Sequence, residues 1–496
     1  MADATSGLAE RIGAVVGIEP AAPALEFDHR WSTWGDLSAT IDSVAAQVKS
    51  PGVEVAILLR NSPFHVGLVL GVLRAGGCVV TINPERGLER TRDDIAELDV
   101  PLVGGAPEDL ESLVGADHRC TTLSANDLAE PIEVSPGVSD PAVERRPGIA
   151  VRMLTSGTTG PPKRIDLSYE TLERVLVGAK HYERNPDRSV RLRSGVAIVN
   201  SPLVHLGGLF RVLQCVNDGR SFCLLERFTV EAWVDAVRRH GPKTVSLVPA
   251  ALRMVLESDV DPAHLASIRS VVCGTAPLSP DDADAFTARF GIPVLISYAA
   301  TEFGGGVAGW NLTDHQEFWA TKRGSVGRAH PGCGLRIVDG DDGHLLGPNQ
   351  EGLLEVKAEQ LDSGSSWTRT TDLARLDADG FLWIVGRADQ AIIRGGFKVR
   401  AEDVSAALER HASVRGAAVV SMPDARLGEV PVAAVELRPG ATATPEELKA
   451  HASRMLARYE LPTTILIVDR LPRTSSAKVD LVGVRALFAL GMYKGT

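Results

Sequence analysis

Between Leu154 and Arg164 the chain reads LTSGTTGPPKR. Thr155, Ser156, Thr158 and Thr159 supply hydroxyls, Gly157 and Gly160 supply bare backbone, and Lys163 supplies a cation. Glycine permits close approach and backbone angles that other residues resist. Successive main-chain N–H groups in such a turn make a concavity for an anion. A Ser/Thr/Gly cluster alone is most often a surface loop. Here the apolar run Ile149 to Leu154 reads as a buried strand leading into the loop, and Lys163 favours phosphate as the ligand. The familiar Gly-Lys-Ser/Thr phosphate loop is excluded, because Lys163 follows Pro162 and precedes Arg164.

Six further strings carry chemistry-bearing residues. They are PLVH (202–205), GTAPLS (274–279), SYAATE (297–302), TRTTDLA (368–374), GRADQ with GGFKV (386–399) and LPRTSSAK (471–478). Each has a bland reading. His205 alone is a satisfied histidine at a strand–helix junction, Gly274 to Ala276 an ordinary loop before a helix, and Glu302 a solvated charge. Asp372 reads as a turn residue, Gly395-Gly396 as a hairpin turn, and Lys478 as a surface lysine.

The elements around these strings alternate. Val53 to Leu59 and Cys78 to Ile82 read as buried strands flanking an apolar helix that Asn61-Ser62-Pro63 opens. Val103 to Arg146 is weakly patterned. Beyond it, expected strands at Val196 to Asn200, Phe222 to Leu225, Thr244 to Val248, Arg269 to Cys273 and Pro293 to Ser297 alternate with helices. Two of those helices are Tyr169 to Ala179, capped by Ser168, and Val230 to His240. Such alternation predicts doubly wound parallel sheets with ligands at the carboxyl ends of strands. From about residue 310 to 388 the chain turns glycine-rich and β-like, and from 389 it resets to mixed α and β. The expected architecture is α/β: an N-terminal domain, 1–388, of doubly wound sheets plus a small β-barrel-like part, then a small mobile α+β domain, 389–496.

With 496 residues, 44% hydrophobic and 23% charged, the composition is that of an ordinary globular protein. A net charge of −11 argues against bulk nucleic-acid or anionic-membrane binding. Six cysteines without a C-x-x-C pair read as reduced core residues of a cytoplasmic protein. No secretory signal is evident at the N-terminus, and the most apolar segment, Val66 to Val80, is too broken to span a bilayer.

Taken in order, the seven strings resemble the signatures of the adenylate-forming superfamily, in its acid–CoA ligase branch. The resemblance covers most of the chain and implies residue roles. Thr155 to Gly160 and Lys163 hold ATP phosphates. His205 gates the carboxylate beside Gly207 and Gly208. Gly274, Thr275 and Ala276 border the adenine and acyl sites. Tyr298 stacks on adenine, with Ala299 and Gly304 at the acyl pocket. Thr301 bonds a phosphate and Glu302 carries Mg2+. Asp372 takes the ribose hydroxyls and Arg387 the ribose or phosphate. Asp389 is the hinge. Gly395, Gly396 and Lys398 lie on the path of the CoA arm, and Lys478 reaches the α-phosphate and the carboxylate.

The implied chemistry has two steps. A carboxylate attacks the α-phosphate of ATP, giving an acyl-adenylate and pyrophosphate; CoA then attacks the acyl carbonyl and releases AMP. PLVHLGGLF (202–210) offers no acid to pair an amino-acid ammonium, so a hydrophobic, bulky carboxylic acid is expected. Arg164, Ala299, Thr371 and Ala477 stand where the family usually has glycine, and each is expected to add bulk on the ATP side. Two alternatives therefore stay open: thioesterification alone of a preformed acyl-adenylate, fed by a separate adenylating enzyme, and acyl loading of a carrier protein. A homodimer is left open as well.

Overall fold

Strand Glu54–Leu58 is buried at every position and pairs in parallel with Cys78–Ile82, also buried throughout. The two are joined by helix Pro63–Arg74, which starts at a proline in its first turn and is buried on nearly all sides. That burial explains why this stretch is apolar without periodicity. Glu54, 3% exposed, is tolerated in the strand because Arg146 (3.2 Å) and Arg152 (2.5 Å) bind its carboxylate.

The computed structural model describes residues 6–86, 88–115, 119–128, 130–137, 145–155, 163–178, 189–359, 366–388, 391–394, 397–424, 426–474 and 478–489. The chain forms two compact units, one containing most of the chain up to Cys333, the other Gly334–Lys357 and the chain from Trp367 onward.

The first unit holds three sheets. A seven-stranded sheet runs Glu133–Ser135, Thr121–Ser124, Leu102–Gly105, Glu54–Leu58, Cys78–Ile82, Ile149–Thr155, Lys163–Ser168. Its interior is parallel and its outer pair on each side antiparallel. The weakly patterned region after residue 102 thus supplies three strands and helix Pro107–Leu113. Leu102–Gly105 escapes pattern reading because two of its four residues are glycines, although all four are buried. A five-stranded sheet runs Thr244–Leu247, Ser270–Cys273, Val294–Ala300, Gly305–Gly309, Arg328–Ala329, with its first three strands parallel. A four-stranded sheet runs Arg193–Val199, Arg220–Leu224, Pro23–Phe27, Arg30–Thr33. As expected, helix Tyr169–Gly178 is capped by Ser168, whose Oγ accepts the N–H of Thr171 (3.0 Å), and Val230–His240 forms a helix.

The second unit has two sheets. One runs Cys333–Val338, Glu351–Ala358, Thr368–Leu376, Leu382–Arg387, with its last three strands antiparallel. The other runs Phe397–Arg400, Ala391–Arg394, Gly428–Leu437, Val414–Asp424, with Thr464–Val468 added in parallel beside Gly428–Leu437. Strand alternation divides its faces. Ala417, Val419, Ala433 and Val435 pack against helices Ala401–Glu409 and Pro445–Ala452 through Val404, Leu408 and Leu448. Ala418, Val420, Val432 and Ala434 pack against Leu471 and Val484, the latter on helix Leu481–Ala489.

Five of the six cysteines are buried, Cys333 is half-buried, and all are free thiols. Among the described residues no helix is long and apolar enough to cross a membrane.

Candidate active site

The loop between Leu154 and Arg164 is closed at its base. Thr155 and Lys163 are the last register partners of the antiparallel pair Ile149–Thr155 and Lys163–Ser168. Ser156, Gly157, Thr158, Thr159 and Gly160 lie outside the described residues. Lys163 is exposed at the loop exit, and the next residue points to the other face of the strand. Arg164, only 12% exposed, sends Nη2 to Asp94 (2.6 Å) and Nη1 to the Thr81 carbonyl (3.3 Å). This corrects the expectation that Arg164 crowds the nucleotide, since its guanidinium is committed to helix Leu88–Leu98 and strand Cys78–Ile82.

The exit strand continues into helix Tyr169–Gly178, which reaches a second group of candidates. A Cβ on Gly304 would lie 2.7 Å from Thr171 Cγ2, and one on Gly305 3.2 Å from Val175 Cγ1. Gly304 also has φ +70°, closing the one-turn 3₁₀ helix Thr301–Phe303. The absence of a side chain at Gly304 thus lets helix Tyr169–Gly178 pack closely against the turn. That contact ties the hairpin of the loop to the turn bearing Thr301, half-buried, and Glu302, exposed.

Thr301 and Glu302 follow strand Val294–Ala300, while Gly274 follows the adjacent parallel strand Ser270–Cys273. Both segments leave the sheet at the same edge, as ligand sites of parallel sheets do. A Cβ on Gly274 would stand 2.8 Å from the Ser297 carbonyl, so only glycine fits. The next residue, Thr275, has φ +73°. For a β-branched residue that is a strained conformation, and such strain concentrates at ligand sites. Ala276 continues the same turn. Tyr298 is half-buried with its ring 6.3 Å from that of Phe303, and Ala299 is exposed.

His205 follows strand Arg193–Val199 of another sheet of this unit. It is the N-cap residue of helix Leu206–Asn217, with extended backbone and no side-chain cap bond. Its imidazole is thus not committed to capping. The two glycines after it differ. Nothing lies within 4 Å of a Cβ on Gly207, whereas one on Gly208 would meet the Pro202 carbonyl oxygen at 2.3 Å. Gly207 faces open space; Gly208 is required by the backbone turn.

In the second unit Asp372 and Arg387 are register partners on antiparallel strands. Arg387 Nη2 donates to Thr371 Oγ1 (2.6 Å), and the Asp372 N–H donates to Thr370 Oγ1 (3.0 Å). Thr371 therefore steadies Arg387, a role glycine could not fill. Beyond Arg387, Asp389, expected as the hinge, lies outside the described residues, as do Gly395 and Gly396. The backbone of Lys398 pairs with Ile393. Lys478 is exposed on a turn closed by the Thr474 N–H donating to the Lys478 carbonyl (2.8 Å) and by the Arg473–Val479 bridge. Ala477 lies outside the described residues.

Glu302 fits Mg2+. The cation takes one or two carboxylates alongside phosphate oxygens and water, and among the described residues this exposed carboxylate has no ion-pair partner. The buried group Glu26, Cys223 and His240 has metal-ligand chemistry but not a vacant centre. Arg239 bonds Glu26 and lies 3.1 Å from His240 Nε2.

Two residues near the site were not singled out from sequence. Asn61 binds the segment that carries His205. His330 stands against the strand Gly305–Gly309: a Cβ on Gly309 would lie 2.6 Å from its Cε1 and one on Gly306 3.3 Å from its Nε2. Burial pushes its pKa down to about 4, so the ring is neutral at pH 7. Two local glycines facing a histidine were the available signal, but only the strand pairing brings them together.

Comparison with known proteins identifies the family. The family model described as AMP-binding enzyme matches residues 15–364, and that of the AMP-binding enzyme C-terminal domain matches residues 403–478. A 4-coumarate–CoA ligase of Oryza sativa subsp. japonica is 30% identical, covering 93% of this chain and 90% of its own length. The indoleacetate–CoA ligase of Aromatoleum aromaticum is 29% identical, covering 97% and 98%. The amide bond synthetase McbA of Marinactinospora thermotolerans is 28% identical with a TM-score of 0.80, covering 98% of this chain and 100% of that one. The chain belongs to the AMP-binding enzymes, the adenylate-forming superfamily, and within it to the acid–CoA ligases that make acyl-CoA thioesters.

Proposed function

We propose that this ligase activates a hydrophobic, bulky carboxylic acid with ATP and passes the acyl group to CoA. The observation that carries the reading is the continuous path from the loop base at Thr155 and Lys163, through helix Tyr169–Gly178, to the turn bearing Thr301 and Glu302. It supports one rigid frame for triphosphate and metal. Bound at Glu302, Mg2+ would neutralise phosphate charge. The loop and Lys163 hold the β- and γ-phosphates, Thr301 bonds the α-phosphate, and Asp372 and Arg387 orient the ribose. Lys478 meets the charge that develops as the carboxylate attacks. The C-terminal domain, 389–496, then turns about Asp389, so that Lys478 leaves and Gly395-Gly396 admits the CoA thiol. The thiol attacks the acyl carbonyl, AMP departs, and no protein nucleophile is needed.

A ring-bearing acid is favoured. The open face at Gly207 gives room, the neutral ring of His330 adds no charge, and two relatives are named for 4-coumarate and indoleacetate. Retained adenylation is also favoured over thioesterification alone, because Arg164 turns to Asp94 and Thr371 engages Arg387. Likeness to an amide bond synthetase keeps another acceptor in view, an amine or a carrier-protein thiol. Free thiols throughout suit a cytoplasmic setting.

The test is a panel of aryl, alkyl and amino acids assayed for ATP–pyrophosphate exchange and for thioester formation with CoA. Exchange and thioester with aryl acids are expected. Thioester only from synthetic acyl-adenylate would show that adenylation is lost. Exchange with no CoA product, but product with amines or carrier protein, would replace CoA as acceptor.

A further inference from the structure

Asn61 precedes Ser62, the N-cap residue of helix Pro63–Arg74. Its side chain is buried, with the residue 7% exposed, and serves none of its own helix. Oδ1 accepts the N–H of Leu203 (2.8 Å). Nδ2 donates to the carbonyls of Ser201 (3.1 Å) and Leu225 (2.9 Å). Both amide donors and the acceptor oxygen are therefore engaged. The three main-chain groups lie just past the ends of two neighbouring parallel strands, Arg193–Val199 and Arg220–Leu224. From Leu203 the chain reaches His205 in two residues, and the Pro202 carbonyl accepts the His205 N–H (3.1 Å).

We propose that Asn61 is a positioning residue for His205, acting through the backbone of Ser201 to Leu203. The inference rests on the reading of His205 as the residue that meets the acid. An asparagine is suited to the place and its neighbours are not. Aspartate keeps the acceptor for Leu203 but turns a second oxygen toward two carbonyls. Leucine keeps the volume and leaves three buried main-chain groups unpaired. A purely architectural asparagine would tie two strand ends together and have no particular link to the acid.

The test is a double-mutant cycle on the full-length enzyme, using Asn61→Ala, His205→Ala and the pair. Asn61→Ala is expected to raise KM for the acid about tenfold while KM for ATP stays within about twofold. In the His205→Ala background the same change should add nothing. Multiplying losses, or equal rises in both KM values, would overturn the proposal; so would a His205→Ala enzyme with unchanged KM for the acid. Asn61→Ser is run beside the alanine variant, so that a folding failure of one does not decide the outcome. A second arm needs no turnover. In protein labelled at histidine, the His205 ring resonance is assigned by its loss in His205→Ala. It should move in Asn61→Ala, and an unmoved resonance sinks the idea. If no acid yields thioester, the CoA-ligase reading fails alone and the resonance still decides the role of Asn61.

Discussion

At the residue scale, glycines that look alike in sequence do different work. Gly207→Val points a side chain into open space, so melting temperature should hardly change. Turnover of bulky acids should fall at least about tenfold relative to small ones, measured as kcat/KM across an acid series. Gly208→Ala forces a methyl against the Pro202 carbonyl. It should destabilise the first unit by about 1–3 kcal/mol, read by urea melting, whichever acid is present. Thr371 and Arg164 carry the same lesson for residues that replace a family glycine. Thr371→Val removes the acceptor for Arg387, and KM for ATP should rise about fivefold with the KM for the acid unchanged. A Thr371→Gly enzyme with better ATP affinity than wild type would reverse this account and restore crowding as the role of Thr371.

At the element scale, the hairpin that carries the proposed phosphate loop is held from two directions. Helix Tyr169–Gly178 seats Thr171 and Val175 on Gly304 and Gly305, and helix Leu88–Leu98 anchors Arg164 through Asp94. Asp94→Ala leaves a largely buried guanidinium without its carboxylate, a loss of about 3 kcal/mol. We expect lower thermal stability and a raised KM for ATP. Adding Arg164→Gly to that variant should recover much of both, because the orphaned charge goes with it. Additive losses in the double variant would mean that the pair does not act as a unit. Not all of this was visible in advance. The strand entering the loop was legible from its apolar run, and the helix after it from the Ser168 cap, but the exit strand Lys163–Ser168, mostly polar, was not. Strand Leu102–Gly105, glycine-rich, and strand Pro23–Phe27, which pairs with a partner nearly two hundred positions away, were not. Local pattern carries no record of a distant pairing partner.

At the scale of the whole molecule, two buried imidazoles set an acid limit. Burial brings His65 and His330 from an ordinary pKa of 6.5 down to about 4. Between those values the unfolded chain holds protons that the folded chain refuses, so stability rises with pH across the window and falls on acidification. Urea midpoints should drop from pH 7 to pH 5, and His65→Gln should flatten that slope. The two half-reactions give the second prediction. Lys478→Ala should lower pyrophosphate exchange by about 10²–10³-fold, as loss of a transition-state charge partner does. Thioester formation from preformed acyl-adenylate should stay within about threefold of wild type, since Lys478 has no part in that step of the proposed mechanism. Equal losses in both assays would remove Lys478 from the adenylation step.

The sequence by itself determined the chemistry on offer and its order along the chain. The loop of hydroxyls, glycines and lysine, the Thr301-Glu302 pair, Asp372 and Lys478 are matters of residue type and spacing. So is the alternation that demands parallel sheets, because burial on both faces leaves a continuous apolar run. Tertiary structure decided what those residues are free to do. Whether Arg164 faces a nucleotide or an aspartate, whether a glycine opens a pocket or admits a helix, and which amide holds the His205 segment all depend on neighbours far away in sequence. These are close contacts across paired strands and packed helices, made only when the chain has folded. The loop from Thr155 to Lys163 could therefore be proposed as a phosphate site from sequence alone, while the pairing of Arg164 with Asp94 at its exit strand emerged only from the fold.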